Sequence, residues 1–189
     1  MDKMKKSNQD IKIISMEKSM LSSVANIASM TLGDAFINES ILNNDINLCV
    51  EYETEIVAYS TTKIVNSSYF KSIFKNKSLK QLEIYEKVGY IDSLAVNQDY
   101  AGKGIGTLLL KNTILKLKEN NINFVLMAAW KNITEVNIKA LAKKEGFKEE
   151  FEIKNFWSED SIKEKFDCTV CGKPPCLCSA VIYTKELNS

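Results

Sequence analysis

The 189-residue chain is long enough for one domain with a sizeable core. With 45% hydrophobic residues, 26% charged residues and a net charge of +1, it has ordinary globular composition and no basic field that would argue for nucleic acid. All 25 basic residues are Lys and His is absent, which excludes bidentate guanidinium recognition, the commonest general base and the commonest metal ligand. A catalytic base must then be a carboxylate, Tyr, Cys, Lys or water, and a soft-metal site must be built from cysteine. No apolar run approaches the roughly 20 residues of a spanning helix. The charged start MDKMKKSNQD is followed by no apolar signal region. A cytoplasmic protein with no membrane and no nucleic-acid partner is expected.

In chain order, residues 11–16 (IKIISM) predict a first strand. Residues 18–36 carry Met20, Val24, Ile27, Ala28, Leu32 and Phe36 at helical spacing, an amphipathic helix packed on a sheet. Residues 48–52 and 56–64 read as two strands of a hairpin around the polar Glu53 to Glu55, with Cys49 a buried, inert thiol. Residues 66–87 break the strand rhythm and predict a surface insertion, either a short helix or a flap. Residues 88–96 (VGYIDSLAV) are the next strand. Residues 104–118 form a helix with Ile105, Leu108, Leu109 and Leu115 on one side, widened by Leu110, Ile114 and Leu117.

The near-continuous apolar run 122–130 predicts a strand covered on both faces. A helix starts at Asn132, with Glu135 in capping-box spacing, core residues Ile133, Val136, Ala140 and Leu141, and Gly146 at its end. Residues 147–157 and 179–187 are the last strands, and a cysteine-rich insert over 158–178 separates them. The order β-α-β-β-β-α-β-α-β-β predicts an α/β domain over 1–189, with a mixed sheet flanked by helices.

Gly102, Gly104 and Gly106 alternate where a strand becomes a helix. Glycine lets backbone approach a ligand and visit positive φ. The first helical N–H groups lack intrahelical partners and sit at the positive end of the dipole. Together they make an anion site, to which Lys103 adds a charge and Thr107 a hydroxyl. The competing interpretation is a tight turn for close helix–sheet packing. Lys103 precedes the last two glycines, unlike a Walker loop, and the stretch comes after half the chain, unlike a dinucleotide fingerprint.

The stretch resembles the signature of the GNAT acetyltransferases, the acetyl-coenzyme A-dependent N-acetyltransferase superfamily. That signature is an apolar strand ending in Val, then Arg/Gln-x-x-Gly-x-Gly/Ala, then an apolar helix. Here Leu94-Ala95-Val96 is followed by Ala101-Gly102-Lys103-Gly104-Ile105-Gly106, and Gly146-Phe147 stands where the family has Gly-Phe. The resemblance implies a mainly antiparallel mixed sheet. It also implies that acetyl-CoA is held along Leu94, Ala95 and Val96 and by Ala101, Gly102, Lys103, Gly104, Ile105, Gly106 and Thr107, with the thioester between the strands ending near Val96 and Trp130. The chain departs from the pattern at Ala101, where the family has Arg or Gln. It departs again at Ala142, where the family often has the Tyr that protonates the thiolate, and at Glu135, where Asn is frequent; Asn132 and Asn137 are out of register.

Acetyl transfer needs a neutral amine and a proton acceptor. Asp92, four residues before Val96 and on the face of Leu94 by strand alternation, is the first candidate for base or amine anchor. Similar polyamine acetyltransferases place a carboxylate at this spacing and a Trp at the end of the next strand, here Trp130. A solvated carboxylate at a sheet end is the plain alternative. Tyr90, and behind it Glu83, Tyr85 and Glu86, are further candidates.

Cys168, Cys171, Cys176 and Cys178 fall within eleven residues, with Gly172, Pro174 and Pro175 turning the chain back between the pairs. A Cys-x-x-Cys-Gly knuckle followed by a Cys-x-Cys pair can close a tetrahedral, structural zinc site with no open position. Disulfides or a reactive dithiol are the alternatives. The expected partner is an amine-bearing small molecule or peptide acceptor. A non-catalytic CoA-binding or zinc-bearing interaction module is the rival function, and oligomeric state is left open, a homodimer included.

Overall fold

The computed structural model describes residues 11–32, 37–74, 77–132 and 138–187. Its strands are β1 (Ile11–Ser15), β2 (Ile46–Tyr52), β3 (Glu55–Asn66), β4 (Lys87–Val96), β5 (Phe124–Lys131), β6 (Lys148–Ile153) and β7 (Ser179–Glu186). Among them lie helices α1 (Leu21–Thr31), α2 (Phe70–Ile73), α3 (Gln81–Ile84), α4 (Ile105–Glu119), α5 (Lys139–Lys144) and α6 (Ser158–Glu164). One seven-stranded sheet runs in the order β1-β2-β3-β4-β5-β7-β6. Every pairing is antiparallel except β4 with β5, the one pair joined by a helical crossover, α4.

The expected α/β class, the mainly antiparallel mixed sheet and the order of the principal elements are all present. The hairpin β2–β3 turns through Glu53 and Thr54, both left-handed at φ 48° and 73°, as a two-residue hairpin requires. Among the described residues of 66–87 the chain takes the short-helix form: α2 and α3 lie there, with Phe70 and Phe74 buried and stacked 5.3 Å apart. Trp157 does not continue β6, which ends at Ile153 before a turn and α6. Part of the expected helix from Asn132 (Ile133, Glu135, Val136), Phe36 and Asn137 lie outside the described residues.

The two sheet faces bury different clusters. One packs Leu48, Val50, Ile91, Val125, Met127 and Val181 against α4 through Ile105, Leu109, Leu110, Ile114 and Leu117. Leu108 and Leu115, expected on that apolar side, are exposed because the helix turns them past the seam. Ser60 and Thr113 join hydroxyls across the seam at 2.9 Å, which satisfies both polar groups inside the core. The opposite face buries Cys49, Tyr59 and Ala95 under Val24, Ile27 and Ala28 of α1. Beyond them it buries Val88, Tyr90, Leu126 and Ile182 under the aromatic pair of α2.

Candidate active site

The β4–β5 ladder is short. It joins Gly89, Tyr90 and Ile91 to Val125, Leu126 and Met127 and then stops, although β4 continues to Val96 and β5 to Lys131. A β-bulge marks the point of departure. Thr62 faces Ile91 and Thr61 faces Ser93, so Asp92 is the extra residue. Beyond it the strands open into a gap. The Asn97 N–H donates to Val57 O at 2.8 Å, on the β3 side. Backbone groups alternate in direction along a strand, so those of Leu94 and Val96 point into the gap. Among the described residues no strand pairs with them there, which leaves donors and acceptors for an extended ligand.

At the far end of β4 the chain enters the glycine loop. Ala101 is extended at φ −62°, while Gly102 and Gly104 are left-handed at φ 75° and 84°. A Cβ at either glycine would meet no atom within 4 Å, so they are required by backbone conformation rather than by crowding. The Leu108 N–H makes a bond to Gly104 O at 3.0 Å, so the N–H groups of Ile105, Gly106 and Thr107 are left without intrahelical acceptors. They lie at the positive end of the fifteen-residue α4, next to the exposed Lys103, whose ammonium rests 4.6 Å from the Tyr100 ring. A Cβ built on Gly106 would meet Val96 and Leu141 at an ordinary 3.5 Å, so the helix entry lies close to the end of β4.

Asp92 faces the other side of the sheet from Leu94. Its carboxylate pairs with Lys63 Nζ at 2.9 Å, and Lys63 stands across from Tyr90 on the face covered by α1 and α2. Simple alternation put Asp92 with Leu94; the bulge reverses the order, so Ile91 and Leu94 both join the α4 core. The pair is about one-third exposed on each side chain. Next to it Tyr59 Oη and Ser93 Oγ share a hydrogen bond of 2.9 Å, and burial pushes the Tyr59 phenol up to about 12, with Asp92 adding to the rise. The Thr61 hydroxyl, opposite Ser93, is buried without a partner among the described residues. Lys63, Tyr59, Thr61 and Ser93 carried no signal in the sequence, because cross-strand register brings them together.

Tyr90 is buried beneath Tyr69 and Phe70, and burial, then the Asp92 charge, holds its phenol well above the ordinary value. Tyr85 stacks on Phe124 at 5.1 Å, at the closed end of β5, and Glu83 and Glu86 are exposed near it, away from the gap. Ala142 is wholly buried and offers no acid to a thiolate. Cys49 is buried as expected, its thiol pushed up to about 12 by burial.

The four clustered cysteines converge. All four sulfurs lie within 4.8 Å of one another, with Cys171 and Cys178 at 3.4 Å, Cys168 and Cys178 at 3.8 Å, and Cys171 and Cys176 at 4.0 Å. These spacings are far beyond the roughly 2.05 Å of a disulfide. They match the edge of about 3.8 Å that four thiolates about 2.3 Å from a tetrahedral zinc would have. Cys168 and Gly172 exchange two backbone hydrogen bonds of 2.8 Å, closing a turn with Gly172 at φ 73°. The Val170 and Leu177 N–H groups point at the sulfurs of Cys168 and Cys171 at 3.4 and 3.3 Å, as donors to thiolate do. Burial pushes the Cys178 thiol up to about 11, and the Trp130 side chain packs against the cluster. A buried thiol set of this kind fits a cation that neutralises it.

A family model described as "Acetyltransferase (GNAT) family" matches residues 13–147. No curated protein matches the sequence significantly. Among solved structures, Arabidopsis thaliana NAA60 in complex with a bisubstrate analogue is 13% identical, with TM-score 0.69 over 94% of this chain and 98% of that one. The ribosomal-protein-S18-alanine N-acetyltransferase of Escherichia coli is 17% identical, with TM-score 0.63 over 95% of each chain. A Drosophila melanogaster polyamine N-acetyltransferase that forms N-acetylagmatine is 12% identical, with TM-score 0.64 over 94% of this chain and 100% of that one. At these identities the likeness is one of fold.

Proposed function

The chain belongs to the GNAT acetyltransferase family and is by class an acetyl-CoA-dependent N-acetyltransferase, and from that premise we propose that it acetylates a primary amine of a small molecule or peptide. The observation that carries this is the opening of β4 from β5 after Ile91, which leads straight into the left-handed glycines and the free N-terminus of α4. The pantetheine arm pairs with the backbone of Leu94 and Val96 inside the gap, past Ala95, whose own backbone faces β3. The pyrophosphate sits on N–H groups from Gly102 through Thr107, with Ala101 adding only backbone and Lys103 a point charge.

The acceptor approaches from the face of Asp92. Its ammonium is held by the Asp92 carboxylate, in competition with Lys63, and gives up its proton to Asp92 or to water. The neutral nitrogen attacks the thioester carbonyl, a C–N bond forms, the C–S bond breaks, and the second proton lost by the nitrogen passes through water to the departing coenzyme thiolate. Tyr90, being buried beneath Tyr69, serves the Asp92 wall rather than proton transfer. Drosophila and E. coli relatives acting on a polyamine and on a protein alanine support an amine acceptor without choosing its size.

Cys168, Cys171, Cys176 and Cys178 would hold zinc as a closed structural site that crosslinks the insert and supplies no Lewis acid. Free thiols in this arrangement suit a reducing, cytoplasmic setting. Calorimetry with acetyl-CoA, followed by thiol release across polyamines, aminoglycosides, amino acids and peptide amines, tests the proposal. Binding with release for one class supports it, and binding with no release for any of them overturns it in favour of a coenzyme-binding module.

A further inference from the structure

We infer that the four-cysteine site is a metal-dependent positioning device for the acceptor side of the cleft, acting through Trp130. The inference rests on the acetyltransferase function proposed above. Trp130 is the penultimate residue of β5, on the strand end that has lost its β4 neighbour. On its remaining side it pairs with Ala180, and Lys131 pairs with Ser179, the residue that follows Cys178. The Trp130 side chain packs against the cluster of Phe166, Cys168, Cys176 and Cys178. The free lip of the gap is backed by the first residues of β7, which run directly out of the cysteine turn, and by the Lys131–Glu152 ion pair, while the turn itself packs on the Trp130 ring.

The turn itself is tied into the domain at separate points. The Cys176 N–H donates to the buried Ser161 Oγ of α6 at 2.8 Å, and the Phe156 N–H donates to Cys178 O at 3.1 Å. As anions, sulfurs separated by 3.4–4.0 Å would repel one another. A divalent ion fixes all four sulfurs, and with them the surface on which the Trp130 ring packs at the mouth of the gap. The coenzyme cradle, on Leu94 to Val96 and α4, makes no use of this support. Metal occupancy consequently governs the acceptor and not the coenzyme.

Three measurements on the full chain test this. The purified protein carries one zinc per chain, and cobalt(II) exchanged into it gives the absorption of a tetrahedral tetrathiolate site. In a Trp157→Phe background, where Trp130 is the remaining tryptophan, its emission shifts when zinc is added to chelator-stripped protein. Stripping also raises acceptor KM at least fivefold while the acetyl-CoA Kd moves less than twofold. Trp130→Phe keeps the cobalt spectrum and raises acceptor KM in the same way. Absence of metal binding, Trp130 emission indifferent to zinc, or an acceptor KM indifferent to both stripping and Trp130→Phe overturns the inference. Failure of the acetyltransferase function is distinguishable from these, because it appears as no acetyl-CoA binding and no thiol release in zinc-loaded protein.

Discussion

Asp92 Oδ2 and Lys63 Nζ meet at 2.9 Å where the β-bulge pushes β4 away from β5. An acceptor ammonium that docks on Asp92 takes the place of the lysine. Asp92→Asn should lower kcat/KM for the amine by about 10²–10⁴, the usual share of a general base, with acetyl-CoA affinity unchanged. Lys63→Met should lower acceptor KM by about two- to fivefold, since the displaced pair is partly exposed and weak. Steady-state kinetics with calorimetry reads both. Unchanged kcat/KM in Asp92→Asn would remove Asp92 from the site.

Gly104 caps α4 at φ 84°. Alanine there costs about 1–2 kcal/mol of left-handed strain and twists the first N–H groups out of the cradle. Gly104→Ala should lower Tm by a few degrees and raise the acetyl-CoA Kd about tenfold. Gly106→Ala, whose Cβ would meet Leu141 and Val96 at an ordinary 3.5 Å, should leave Tm nearly unchanged. Equal Tm losses in the two variants would contradict a conformational role for Gly104.

Gly89 lies in the three-residue ladder that joins β4 to β5, directly under α4. A Cβ there would sit 2.6 Å from Leu117 Cδ2, and Leu117 is wholly buried. Gly89→Ala should destabilise the fold by about 1–3 kcal/mol through overpacking, measured by urea denaturation. Any protein that folds should still bind acetyl-CoA, because the cradle is built elsewhere.

Buried acids set the alkaline limit. Burial raises the Cys49 thiol from 9.0 and the Tyr59 phenol from 10.0, each to about 12. In the unfolded chain both ionise at their ordinary values, while the native state keeps its protons, so stability falls as pH rises. That stability is whole below about pH 9 and drains away between pH 9 and 12. Tyr59 alone contributes about 2–3 kcal/mol to the loss. Tm followed by circular dichroism should drop steeply above pH 9, and Tyr59→Phe should flatten the decline. A Tm constant to pH 11 would contradict it.

Locally encoded features were legible in the sequence. The glycines at 102 and 104, the apolar seam of α4 and the paired cysteines each act over a few residues, so spacing and chemistry expose them. The face of Asp92 was not legible, because a one-residue bulge leaves no periodic trace in a strand and reverses every side chain beyond it. The surface of α4 was misjudged at Leu108 and Leu115, since leucine lies outside as well as inside a fold.

By itself the sequence determined the order of elements, the glycine loop at the entry to α4 and the clustering of four thiols, all consequences of neighbours along the chain. Only the tertiary structure decided that β4 parts from β5 at Ile91, that Lys63 pairs with Asp92 and that Trp130 packs against the cysteine cluster. Those relations join residues far apart in sequence. They are fixed by the register of a whole sheet, which is the sum of many side-chain contacts and is written in no single stretch of it.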